Sequence, residues 1–228
     1  SPTSRVMVEE FLEGQQYSTE SIIMDEKNVT VGFAERNYEF LEELSPYIIE
    51  NGGQQPAKID KKELDSIVKL VEKSSQILGI SNAISKGDVV MTKDGPKIIE
   101  IAPRLSGGYF SSDQIPLATG INIIEIAIRL SLGEKINKDK LFFRDQNAVA
   151  IRYFFPKPGK ITSISNIDLF KNKSWVHKLD LFFGVDDVLE KIIDHTKRCG
   201  FVITTGNTRD EAIQRAKMVV KNVQILTT

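Results

Sequence analysis

One segment constrains this 228-residue chain more than any other. Ile98-Ile99-Glu100-Ile101-Ala102-Pro103-Arg104-Leu105-Ser106-Gly107-Gly108 sets a carboxylate inside an apolar run, then adds a guanidinium and two glycines. The apolar run predicts a strand, and alternation sends Glu100 to the face opposite Ile99 and Ile101. Val89–Thr92 predicts its partner, because Lys93-Asp94-Gly95-Pro96 between them contains Asp-Gly, a strong hairpin signal. A turn centred between Asp94 and Gly95 pairs Asp88 with about residue 101, within one residue of Glu100. Two carboxylates side by side on one sheet face repel, and such a pair calls for a cation between them. Magnesium on nucleotide phosphates meets that demand, since Mg2+ takes one or two carboxylates plus phosphate oxygens and water. The competing arrangement is a solvated hairpin whose acids are surface charges beside Lys86, Lys97 or Arg104.

The remaining pattern predicts an α+β chain. Val6–Leu12, Thr19–Met24 and Val29–Ala34 read as strands of an antiparallel meander, the last two joined by the turn Asp25-Glu26-Lys27-Asn28. Pro46, Gly52-Gly53 and Pro56 mark turns around a short strand, Tyr47–Glu50. Asp60 with Glu63 fits a capping box, and Leu64, Ile67, Val68, Val71 and Leu78 follow at helical spacing until Gly79. Asn122–Leu132 is a helix with apolar residues beyond one stripe, expected to be largely buried. A charged linker, Glu134–Asp145, leads to strands at Ala148–Phe155, Ile161–Ile164, His177–Phe183 and Phe201–Thr205. A last helix follows, capped by Thr208 with Glu211. The expected architecture is a mainly antiparallel sheet flanked by helices over residues 1–145, with a small α/β extension over 146–228.

Thirty Lys and Arg against 31 Asp and Glu leave a net charge of -1, so no global field recruits nucleic acid or an anionic membrane. No apolar run reaches the ~20 residues of a membrane span. With only Cys199, His177 and His195, a Cys/His zinc site is excluded. Cys199 reads as a small buried residue, and both histidines read as structural or exposed. A lone cysteine agrees with a reducing, cytoplasmic setting. Ser1-Pro2-Thr3-Ser4 lacks the regions of a secretion signal, and the chain is expected to be a piece of a longer one.

Four segments, in order, resemble the C-terminal half of an ATP-grasp ligase: Val8-Glu9-Glu10-Phe11-Leu12-Glu13-Gly14, Tyr17-Ser18-Thr19-Glu20-Ser21, Gly87-Asp88-Val89-Val90, and Glu100 to Gly108. Gly200–Asn222 is similar to the closing strand and helix of amino-acid ligase relatives. The resemblance implies the C-terminal lobe of an ADP-forming enzyme that uses ATP to activate a carboxylate as an acyl phosphate and joins it to an amine. Carbamoyl-phosphate-synthase-like or biotin-carboxylase-like chemistry on bicarbonate is the alternative, and a degenerate module kept for subunit contact is a third reading. The cofactors implied are ATP and Mg2+, with Mn2+ as a substitute. The partners implied are small-molecule carboxylates and amines, with neither nucleic acid nor membrane, and a homodimer as the assembly.

By the same resemblance Glu9, Glu10, Phe11 and Leu12 form the strand that reads adenine, and Asp88 and Glu100 hold magnesium. Arg104 steadies the acyl phosphate, while Ser106, Gly107 and Gly108 form the turn that admits substrate. Lys86 and Glu20 follow, as a charge contact and a member of an ion pair; for both, a plain surface charge is the competing reading. Ala102 stands where many relatives place a metal-binding asparagine, which puts a second metal in question. The phosphate-gripping lobe expected upstream has no counterpart here, so the chain alone is expected to be inactive.

Overall fold

The computed structural model describes residues 4–24, 27–137, 141 and 147–228. Its centre is an eight-stranded sheet. In chain order the strands are β1 (Gln15–Met24), β2 (Lys27–Asn37), β3 (Gly52–Gln55), β4 (Ala83–Thr92), β5 (Gly95–Ala102), β6 (Ala148–Tyr153), β8 (Val176–Leu181) and β10 (Gly200–Gly206). Across the sheet they run β5-β4-β1-β2-β3-β6-β10-β8, every ladder antiparallel. A second, three-stranded layer joins β7 (Gly159–Ser165), β9 (Val188–Leu189) and β11 (Gln224–Thr227). This is the α+β, mainly antiparallel architecture that the strand and turn pattern predicts.

Alternation sorts the two faces. One face carries α1 (Lys61–Ile77), whose Ile67 and Val71 pack on Tyr17 and Val89. The same face carries α5 (Arg209–Asn222), whose Ala212, Ala216 and Val219 cover Ala150 and Val202. Both helices start as the sequence dictates: Asp60 accepts from Glu63 N at 2.8 Å, and Thr208 Oγ1 accepts from Glu211 N at 3.2 Å. The opposite face is partly covered by a chain segment holding a single π turn (Phe110–Gln114), α2 (Ile115–Thr119) and α3 (Ile123–Ser131). The part left open forms the candidate site. A short helix, α4 (Asp168–Lys171), packs beside β8.

Several expectations need correction. Val6–Leu12 joins no ladder and is no strand: Val6, Met7 and Val8 are exposed, and Glu9–Leu12 lie near the edge strand β5, with Lys97 3.9 Å from Glu10, without pairing to it. The short strand lies at Gly52–Gln55 rather than Tyr47–Glu50, where Gln54 faces Glu35. α3 fully buries only Ile123 and Leu130; Ile126 and Ala127 pack against the core partly buried, and Ile128 is left 56% exposed. The turn Asp25–Glu26, most of the linker to Asp145 and the proposed boundary at 145/146 lie outside the described residues. Residues on either side of that boundary share one sheet, since β3 pairs with β6. Arg152 reinforces the seam, donating to Gly53 O at 3.1 Å and Gln54 Oε1 at 2.8 Å. No helix among the described residues is long and apolar enough to cross a membrane.

Candidate active site

The hairpin of β4 and β5 places the acid pair. Its turn is Lys93-Asp94, one residue earlier than expected, because Thr92 pairs with Gly95. A regular ladder from that turn would set Asp88 opposite Ile99. A bulge intervenes at Ile99, so Asp88 instead pairs with Glu100. Ile98 and Ile101 both face α1, while Ile99 and Glu100 both line clefts on the other face. Glu100 therefore points away from Ile101, as alternation predicts, but shares its side with Ile99. The extra residue delivers an apolar and an acidic side chain to the same face.

Lys86 Nζ sits between the two acids, 2.5 Å from Asp88 Oδ2 and 3.2 Å from Glu100 Oε2. Asp88 also accepts from Ser18 Oγ at 2.9 Å and from Arg36 Nη1 at 3.2 Å. Arg104 bonds Glu100 Oε1 at 3.2 Å and the Leu105 carbonyl, and its side chain is half exposed. The competing surface ion pair is thus partly present, yet Asp88 and Lys86 are buried. Among the described residues no group of three or more His, Cys, Asp or Glu converges on a metal position. Two carboxylates on an open face, already attracting a cation, fit a magnesium ion that takes its remaining ligands from phosphate and water. Ala102, paired with Lys86, adds no donor.

Two clefts meet at Asp88. The larger, about 710 Å³, is lined by Glu9, Glu10, Phe11 and Leu12 together with Val90, Lys97 and Ile99. Glu9 to Leu12 line it without strand pairing, and Phe11 is exposed. The smaller, about 450 Å³, holds Lys86, Glu100, Arg104, Ser106, Gly107 and Gly108. Arg36, Asp88 and His195 border both. The sequence-derived residues thus converge, apart from Glu20. That carboxylate is fully buried beneath the turn and lines neither cleft: it accepts from Ser106 N at 3.1 Å and Ser111 Oγ at 2.6 Å. Gly108, at φ +61, begins two successive left-handed residues with Tyr109, and a Cβ there would press on the Tyr153 hydroxyl at 3.2 Å.

Burial raises the Glu20 carboxyl above its ordinary value, against the opposing bonds from Ser106 and Ser111. The folded state then holds a proton that the unfolded chain has released. Stability is therefore highest below the ordinary value of 4.5 and falls as pH rises through the folded value. Glu20→Gln should flatten that slope in urea unfolding measured across an acid-to-neutral pH series; an unchanged slope would assign it to another group.

Four residues in the clefts carry no sequence signal of their own. Arg36 donates to Glu50 Oε2 at 2.5 Å as well as to Asp88. Burial opposes its charge, but Glu50, Tyr38 and Asp88 hold the guanidinium above its usual value. Arg198 lies over the Tyr153 ring, 3.8 Å from its centroid, and burial pushes that phenol to about 12. His195 is exposed, as expected, and also borders both clefts, because the short turn His195–Lys197 lies at the open face. Only the sheet order, which sequence pattern does not reveal, brings these residues to Asp88. His177 pairs with Asp113 at 3.0 Å, away from both clefts. Cys199 is buried, its thiol raised to about 11 by burial, and is inert.

Comparison with known proteins agrees with this geometry. Residues 1–108 match the family described as ATP-grasp domain, and residues 152–228 match L-amino acid ligase C-terminal domain 2. An uncharacterized protein of Sinorhizobium fredii, y4rH, is 25% identical over 214 residues, 92% of this chain and 42% of its own length. The L-amino acid ligase of Bacillus licheniformis superposes with a TM-score of 0.83 at 18% identity, covering 96% of this chain and 55% of that one. Phosphoribosylglycinamide synthetase from Anaerococcus prevotii gives 0.80 at 16%, with the same coverage. The chain thus spans about half the length of the relatives it matches.

Proposed function

The chain joins an ATP-grasp domain to an L-amino acid ligase C-terminal domain, and from that premise we propose that its full-length protein is an ADP-forming carboxylate–amine ligase. The observation that carries this reading is the meeting of an apolar cleft and a cationic cleft at Asp88. Adenine enters the larger cleft, where the unpaired backbone of Glu10 and Leu12 offers N–H and C=O groups to its edge and Phe11 and Ile99 contact its faces. The phosphates then run toward Asp88 and Glu100. Magnesium held there would neutralise charge on the phosphoryl group as it moves.

The substrate carboxylate oxygen attacks the terminal phosphorus, and the bond to the bridging oxygen breaks to release ADP. Arg104, whose planar fork suits a phosphate, holds the acyl phosphate. The amine nitrogen then attacks the acyl carbon, phosphate leaves with the bonding electrons, and the nitrogen loses a proton. Gly107 leaves open space beside this path, since a Cβ there would meet nothing within 4 Å. These residues act by placing and neutralising charge.

The full-length protein, supplied with magnesium, ATP and pairs of amino acids, should release ADP and phosphate only when a carboxylate and an amine are both present. Release driven by bicarbonate alone, or production of AMP, would overturn the assignment. Lys86 supplies a further check. Its ammonium stands where the divalent cation would bind, so Lys86→Met should tighten Mn2+ binding by roughly tenfold, about the worth of one charged hydrogen bond. Calorimetric titration with Mn2+ measures this, and weaker binding by the variant would make Lys86 a support of the site rather than a competitor.

A further inference from the structure

The C-terminal module sends two side chains into the smaller cleft, Arg198 and His195, to which the proposed metal and adenine contacts assign no role, although His195 borders the larger cleft as well. Arg198 is 7% exposed. Its Nη2 donates to the Glu50 carbonyl at 2.5 Å, and its Nε is enclosed without a partner among the described residues. The carboxylate nearest to it, Glu50 Oε2 at 3.7 Å, is already held by Arg36 at 2.5 Å. His195 Nε2 accepts from Glu50 N at 3.3 Å, which leaves Nδ1 as the protonated nitrogen and a free donor. Burial and the neighbouring Arg198 lower its pKa, in keeping with a neutral ring.

Charge around the cleft is unbalanced. Arg36, Lys86, Arg104 and Arg198 face Glu50, Asp88 and Glu100, a net charge of +1, and Arg36 and Arg198 share Glu50. A desolvated guanidinium with a shared counter-ion is costly unless an anion completes it. Phe110 and Ile151 supply apolar wall nearby, room for a short hydrocarbon stem.

We infer that Arg198 and His195 form an anion subsite that takes the carboxylate of a small amino-acid substrate, so that the C-terminal module helps choose what is ligated. This rests on the smaller cleft being the ligase substrate site. One uncompensated charge beside a neutral imidazole suits a planar monoanion better than a phosphate dianion, which would need a second cation. The adjoining turn at Gly107 and Gly108 lets the bound molecule lie between this subsite and Arg104.

The test is a titration of the chain with glycine, glycinamide and inorganic phosphate, followed through the His195 ring resonances by NMR, with Mn2+ affinity measured on the same samples. Glycine should give a saturable shift that glycinamide, lacking the carboxylate, does not. Arg198→Met should weaken glycine binding roughly tenfold, and Arg198→Lys, which keeps the charge, should weaken it less. Equal responses to glycine and glycinamide, tighter binding of phosphate, or an unaltered Arg198→Met titration would overturn the inference. Should Arg198→Met fail to fold, the glycine–glycinamide contrast in the unaltered chain and the Arg198→Lys variant decide. Absence of the glycine response in the unaltered chain with Mn2+ binding intact sinks the subsite alone, whereas absence of Mn2+ binding in the unaltered chain sinks the proposed function beneath it.

Discussion

Asp88→Asn and Glu100→Gln should each lower the affinity of the cleft for Mn2+ by roughly a hundredfold or more, since even residues one shell removed from a metal commonly cost ten- to a hundredfold. Both changes keep the side-chain shape and remove only charge. Asp88 is the more severe case. It joins the two clefts, and Ser18, Lys86 and Arg36 all donate to it, so its loss also leaves Lys86 with Glu100 alone and Arg36 with Glu50 alone. Titration calorimetry with Mn2+, alone and with ADP, reads the effect. Equal affinity in the unaltered chain and both variants would leave the acids as a plain ion-pair network, and the ligase reading would lose its chemical centre.

Phe201→Ala should destabilise the fold by about 3–5 kcal/mol, the usual cost of removing a fully buried aromatic ring. Phe201 is 0% exposed and stacks on Tyr109 at 4.1 Å, with Tyr153 and Phe182 at 6.3 and 5.8 Å. Tyr109 is the left-handed residue that follows Gly108. Its ring therefore pins the turn at Gly107 and Gly108 to β10, and the cavity left by alanine would loosen that turn. Urea unfolding measures the stability term. A loss below about 1 kcal/mol would show that neighbouring rings collapse into the space.

How much of this was legible follows from the range of the forces. The helix starts at Asp60 and Thr208 and the hairpin around Asp94-Gly95 are local, and short-range pattern finds them. The near-pairing of Asp88 with Glu100 was reached by an expected turn one residue late and a regular ladder; the actual turn is earlier and the bulge at Ile99 restores the match. An inserted residue leaves hydrophobic content unchanged, so nothing in the pattern announces it. Val6–Leu12 shows the converse. Its β-branched and apolar residues look like a strand, but a strand needs a ladder partner, and this segment pairs with none. Arg36, Glu50, His195 and Arg198 were invisible because they reach the cleft through β2, a loop and the C-terminal module, which only the sheet order brings together.

The pairing of β3 with β6 bears on how the polypeptide could be dissected. A cut between residues 137 and 147 would separate segments matched by different families, but it would also expose the edge of β3 and the wholly buried β6. Raw edges of that kind recruit other strands. The two pieces would rejoin or precipitate rather than persist as independent modules, so a graft of the C-terminal module onto a different protein would have to carry a matching β3 with it.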